Sequence, residues 1–148
     1  AILEGRLPEK GSVLAPEKAL CDSCKRNETK PDEMTITKFK RTATSTPDPE
    51  KCFLADGFLC MGPATRDGCG ERCINGNMPC RGCFGPPPDA LDPGLKILAA
   101  IASRGEADSE EDAKVLADSL VDPLGTFYRF GLPASMLKRS ADTERAQT

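Results

Sequence analysis

The sequence predicts a small α plus irregular coil domain, with short helices and little or no sheet arranged around two groups of cysteines. Three observations point there. Eight cysteines fall between residues 21 and 83, at Cys21, Cys24, Cys52, Cys60, Cys69, Cys73, Cys80 and Cys83, and no histidine is present. Thirteen glycines and thirteen prolines in 148 residues cut the chain into pieces too short for long regular elements. Aromatics make up only 5% and tryptophan is absent, so a conventional core is thin for this length and something else must help hold the fold.

In chain order, the opening "AILEGRLPEKG" reads as the last turn of a helix already under way, closing at Gly5 and Pro8. In "APEKALCDSCKR", Pro16 suits a first helical turn and places Cys21 and Cys24 one turn apart, with both sulfurs on one side. Residues 25–51 are polar, with a brief alternation in "MTITKF" that allows a short strand. Lys25, Arg26, Lys30, Lys38, Lys40 and Arg41 outnumber Glu28, Asp32 and Glu33 there, which fits either a solvated loop or docking of an acidic partner. Residues 52–88 carry six cysteines among Gly and Pro and predict no regular structure.

Beyond the triple proline 86–88 the signals turn helical. Asp92 as N-cap, Pro93 at the first helical position, apolar Ile97, Leu98 and Ile101, and Gly105 as a stop predict one helix. Ser109 with Asp112 three residues on predicts a second, amphipathic through Ala113, Leu116, Ala117, Leu120 and Val121; Glu110, Glu111 and Asp112 read as N-terminal helix charges. "DPLGTFYRFGLP" predicts turns at Pro123 and Gly125 and presents Phe127, Tyr128 and Phe130, "ASMLKR" is at most a short helix, and residues 140–148 read as a disordered tail.

Several function classes drop out. A net charge of -3 gives no field that singles out nucleic acid, and no apolar run approaches the roughly 20 residues of a membrane span. Without histidine there is no Ser-His or Cys-His dyad, and neither a phosphate loop nor a dinucleotide fingerprint is present. The cysteines carry the chemistry. They divide into a dispersed set, Cys21, Cys24, Cys52 and Cys60, and a compact set, Cys69, Cys73, Cys80 and Cys83, each with one two-residue spacing.

Disulfides would suit the even count, but nothing signals secretion. Zinc ribbons usually use two similar Cys-x-x-Cys knuckles, and neither set has two. An iron–sulfur cubane is larger than one ion and accepts irregular gaps such as three, six and two, while Gly62, Gly68, Gly70, Gly76, Gly82 and Gly85 let backbone amides approach cluster sulfurs and Pro63, Pro79 and Pro86 stiffen the loops. Spacing favours iron–sulfur and leaves a zinc-stabilised interaction module without redox activity as the alternative.

"CDSCKR" (21–26), "CMGPATRDGCG" (60–70) and "MPCRGCFGP" (78–86) together resemble the small, electron-transferring subunit of nickel–iron hydrogenases, and "DPGLKILAAIAS" and "VDPLGTFYRFGLP" are similar to it too. The likeness is greatest to the cytoplasmic methyl-viologen-reducing, heterodisulfide-reductase-linked and sulfhydrogenase groups. The resemblance implies two 4Fe-4S clusters: a distal one on Cys21, Cys24, Cys52 and Cys60, and a medial one on Cys69, Cys73, Cys80 and Cys83. Cys73 implies a complete medial cubane rather than a three-iron cluster, and Cys21 stands where periplasmic uptake enzymes commonly have His.

The resemblance further implies an oxidoreductase subunit, not itself catalytic, that carries electrons from dihydrogen oxidation to a partner. The expected partners are a nickel–iron large subunit and a flavin or iron–sulfur acceptor subunit, with no nucleic acid, no transmembrane segment and a cytoplasmic location. Residues 1–15 are expected to be the end of a preceding flavodoxin-like domain and a linker, with a third, proximal cluster in that missing part. Residues 16–139 are then the two-cluster iron–sulfur domain.

Overall fold

The computed structural model describes residues 2–10, 12, 14, 16–32, 34–104 and 109–137. The helix stop expected at Gly105 and the tail at 140–148 lie outside them. Short helices joined by irregular coil make up the described residues: α1 (Leu20–Ser23), α2 (Arg72–Asn75), α3 (Pro93–Ala102), α4 (Glu110–Ser119) and α5 (Pro123–Phe127). Among them no sheet forms, and strand-like pairing is limited to isolated bridges such as Ala19 with Arg66 and Lys40 with Phe58. The strand allowed in "MTITKF" is absent; Ile36 N–H donates to the Arg104 carbonyl (3.0 Å) and Phe39 N–H to Ser119 Oγ (3.0 Å), pinning this segment between the ends of α3 and α4.

The 3₁₀ turn Gly62–Ala64 is central, packing against both α1 and α3. It places Met61 and Ala64 inside with Leu20, Ile97 and Phe58, each at most 3% exposed. Expected helix starts hold at Asp92 and Ser109 but not at Pro16. Leu20 N–H donates to the Thr65 carbonyl (2.8 Å) and Asp67 N–H to the Lys18 carbonyl (3.0 Å), which holds Ala19 extended, so α1 begins only at Leu20. The turn expected at Pro123 and Gly125 is instead the first turn of α5, because the Asp122 carboxylate caps the Gly125 N–H (3.0 Å) from a left-handed backbone (φ 51°).

Helix α4 buries none of its residues; only Leu116 and the C-cap Leu120 pack partly on the core, and Val121 lies beyond the helix, exposed. The aromatic trio splits: Phe127 is core, Tyr128 is half-buried and Phe130 is exposed.

Asp92 ties the C-terminal third together. Its buried carboxylate accepts from Leu95 N–H (2.9 Å), the Tyr128 hydroxyl (3.0 Å) and Met136 N–H (2.8 Å), joining α3, the end of α5 and the segment beyond. Tyr128 reaches it because position 94 is glycine: a Cβ there would lie 2.2 Å from the tyrosine ring. Burial raises the Asp92 pKa, but these donors outweigh it and hold the group below the usual carboxylate value. Such a carboxylate contributes stability above its unfolded pKa of about 4 and loses it as pH falls through the lower folded value. Asp92→Ala is therefore expected to lower unfolding stability at neutral pH by about 3 kcal/mol or more, stranding three donors. Asp92→Asn should lose less and flatten the acid limb, as read by urea unfolding between neutral pH and about pH 3.

Candidate metal centre

All eight cysteines are free thiols, so the disulfide reading finds no pair to support it. The four of the dispersed set, separated by up to 39 positions in the chain, line one cavity of about 250 Å³. Helix α1 supplies Cys21, the 3₁₀ turn Lys25–Thr29 follows Cys24, and Thr29 Oγ1 accepts from Cys52 N–H (2.9 Å) to fix the third. Cys60 leads into the Gly62–Ala64 turn and is buried. Gly62 matters for its missing side chain: a Cβ there would stand 2.9 Å from Cys21 Sγ and 3.6 Å from Cys60 Sγ, inside the cradle between two thiols.

The cavity's electrostatics suit an occupant that stabilises thiolates. Burial, then the neighbouring Cys52 and Cys24 thiols, push the Cys21 pKa up to about 12. Burial raises Cys60 as well, with Cys80 adding to it, and burial raises Cys24 despite an opposing Arg26 N–H. Arg26, Lys30 and Arg104 also line the cavity, and among the described residues no carboxylate does. Four thiolates gathered here would require more positive charge than these cations supply at the cavity wall, and a metal centre would provide it. Among the described residues no three Cys, Asp or Glu side chains form a group able to hold a single metal ion. The four sulfurs line one cavity together.

Sequence groups Arg26 with the solvated cations of residues 25–41, yet it is 7% exposed. Its guanidinium donates to the Asp48 (2.6 Å) and Lys51 (2.9 Å) carbonyls and to Asn77 Oδ1 (2.9 Å), and lies 4.1 Å from the Phe53 ring centroid. It thereby fastens the loop before Cys52 to the loop before Cys80. All these hydrogen-bond acceptors are neutral, so its charge is left to act on the thiol cavity beside it. The one signal in the sequence is its place two residues past Cys24.

The compact set gathers less completely. Cys80 is buried, Cys69 half-buried, and Cys73 and Cys83 are exposed. Burial raises the Cys80 thiol, and the neighbouring Cys69 and Cys83 thiols add to the rise. Cys73 lies on the exposed part of α2, beside buried Ile74. Of the glycine amides expected near sulfur, Gly82 N–H donates to Cys80 Sγ (3.4 Å), from a backbone with φ +84° that favours glycine, and Gly62 N–H serves Cys60. The two sets meet: Cys80 N–H donates to Cys60 Sγ (3.3 Å) and Cys80 Sγ lies 3.4 Å from Thr65 Oγ1.

No family model matches the chain. It is 39% identical over 142 residues to a vhu subunit of the F420-non-reducing hydrogenase of Methanococcus voltae, covering 96% of this chain and 44% of that protein. It is 35% identical over 142 residues to the iron-sulfur subunit of the F420-non-reducing hydrogenase of Archaeoglobus profundus, covering 94% and 43%. It is 40% identical over 120 residues to the corresponding F420-non-reducing hydrogenase subunit of Methanothermus fervidus, covering 78% of this chain and 93% of that one. The chain thus spans less than half the length of the first two relatives.

Filling the cradle at Gly62 tests the cavity directly. Gly62→Ala is expected to displace Cys21 Sγ at an overpacking cost of about 1–3 kcal/mol and to lower the metal content of the purified protein. Metal analysis unchanged from wild type would show that the space between these thiols holds nothing.

Proposed function

This chain belongs to the family of F420-non-reducing hydrogenase iron-sulfur subunits, and we propose that its residues form the electron-carrying, two-cluster part of such a subunit. The observation that carries the reading is the convergence of Cys21, Cys24, Cys52 and Cys60 on one cavity edged by Arg26, Lys30 and Arg104, with no acid lining it among the described residues. In this reading they hold a distal 4Fe-4S cluster, and Cys69, Cys73, Cys80 and Cys83 hold a medial one. Clusters of this type supply reversible one-electron storage at a potential set by charge, hydrogen bonds and exposure.

The chain's own residues do the rest. Cys60 and Cys80 anchor the two sets in the interior at 7% exposure each, where water is excluded. The Gly82 and Cys80 amides donate to ligand sulfurs and stabilise their negative charge. Arg26 sets a fixed positive charge at the distal cavity. The relatives' names as hydrogenase subunits support the wider reading. In it, a nickel–iron large subunit delivers electrons from dihydrogen and a flavin or iron–sulfur subunit receives them in the cytoplasm. This chain breaks no bond itself. No helix among the described residues is long and apolar enough to cross a membrane.

The full-length protein, purified anaerobically, is expected to be brown, to bleach with dithionite, and to contain about eight iron and eight sulfide for this part of the chain. Colourless protein carrying zinc without sulfide would replace the redox reading with the zinc-stabilised module. Cys73→Ala is expected to convert a four-iron EPR signal to a three-iron one, which happens only where that residue is a ligand.

Arg26 offers a test of charge. Arg26→Gln is expected to lower the distal cluster's potential by about 60 mV or more, a tenfold change in a one-electron couple, because a nearby positive charge favours the added electron. Arg26→Lys keeps the charge and should keep most of the potential even where it destabilises the loops. Equal potentials in the Gln variant and wild type, by EPR-monitored redox titration, would reduce Arg26 to a structural role.

A further inference from the structure

A second cavity, of about 310 Å³, shares no lining residue with the cysteine cavity. Leu59, next to Cys60, lines it, as do Pro79 and Arg81, on either side of Cys80. It therefore borders the ligand-bearing segments of both cysteine sets without containing a cysteine. Lys40, Arg41, Arg81 and Arg129 also line it, against the acid Asp122.

The charges there are unevenly engaged. Asp122 already caps α5, and Lys40 already pairs with Asp56 (3.0 Å). Arg129 Nε donates to the Gly125 carbonyl (3.1 Å), which leaves its charge uncompensated. The guanidinium groups of Arg41 and Arg81, both exposed, have no hydrogen-bond or ion-pair partner among the described residues. Phe39 and Phe58 also line the cavity but are 4% and 1% exposed, so they offer a flat ligand no face for stacking. Several guanidinium groups around a half-open recess match carboxylates, which arginine binds through paired, charge-assisted hydrogen bonds.

We propose that this cavity is the docking port for a redox partner protein that presents carboxylate side chains to Arg41, Arg81 and Arg129. The inference rests on the electron-carrying reading above and adds to it the place and chemistry of the contact. At the port, one electron leaves the reduced chain for the partner's oxidised centre, and no bond forms or breaks. The cations hold the partner, and the short segments through Leu59 and Pro79 keep it beside both sets of ligands.

The test uses full-length, cluster-loaded protein and a rhodamine-labelled hexaglutamate peptide followed by fluorescence anisotropy. Wild type is expected to bind the peptide at low salt and release it as salt rises. The double variant Arg41→Gln/Arg129→Gln should bind at least about tenfold more weakly, and Arg41→Lys/Arg129→Lys should retain most of the binding. Bound peptide should also slow oxidation of the dithionite-reduced protein by hexacyanoferrate(III), which takes one electron and becomes hexacyanoferrate(II), in wild type but not in the Gln variant. Peptide binding that ignores the Gln substitutions overturns the proposal, as does binding that leaves the oxidation rate unchanged. Absence of a dithionite-bleachable chromophore would sink the electron-carrying reading instead, and the anisotropy data would still report on the anion site.

Discussion

The hydrogen bond from Cys80 N–H to Cys60 Sγ is the constraint around which the rest of the molecule is arranged. With the return bond from Met61 N–H to the Cys80 carbonyl (3.0 Å), it locks the segment 60–65 to the loop 78–82. Both cysteines are buried within the apolar cluster that holds Leu20, Phe58, Met61 and Ile97, so the two sulfur groups touch inside the core itself. The 3₁₀ turn after Cys60 then offers Ala64 and Gly62 to α3 and α1, and α3 carries Asp92, which secures Tyr128 and Met136. The chain from sulfur contact to C-terminal packing has few links.

Such an arrangement answers the thin core that the composition implies. Metal binding to deprotonated thiols couples to folding, so in the proposed two-cluster reading ligation would supply free energy that a larger protein takes from apolar burial. The positive side chains at the distal cavity fit that logic. A buried guanidinium with only neutral acceptors is unfavourable in an empty protein and favourable beside an anionic centre. Arg26 thus makes the loops around Cys52 and Cys80 depend on the cavity's charge as well as its shape.

What can be read from the sequence is local chemistry. Asp92 and Ser109 cap helices as expected because their acceptors lie within the same turn, three residues from the donor. The eight cysteines are legible by count, and four of them, Cys21, Cys24, Cys52 and Cys60, line one cavity. Expectation and structure part where a distant partner overrides local preference. Pro16 fits a helix start, but residues 65–67 hold Ala19 extended; Gly125 fits a turn, but Asp122 caps a helix through it. Arg26 looks solvated because its acceptors are 22 to 51 residues away. No periodicity encodes such contacts.

Helix α4 carries a consequence of a different kind. It buries none of its residues and is held chiefly by Leu116, Leu120 and the bond from Phe39 N–H to Ser119 Oγ. Elements with few buried apolar contacts open by local unfolding well before the whole molecule does, and their amides exchange with solvent first. Ser119, at its C-terminus, and the following Leu120 and Val121 line the cationic cavity together with Leu59, Pro79 and Arg81, which flank Cys60 and Cys80. The part of the recess lined by Ser119, Leu120 and Val121 can therefore shift to fit an occupant with little loss of buried contact.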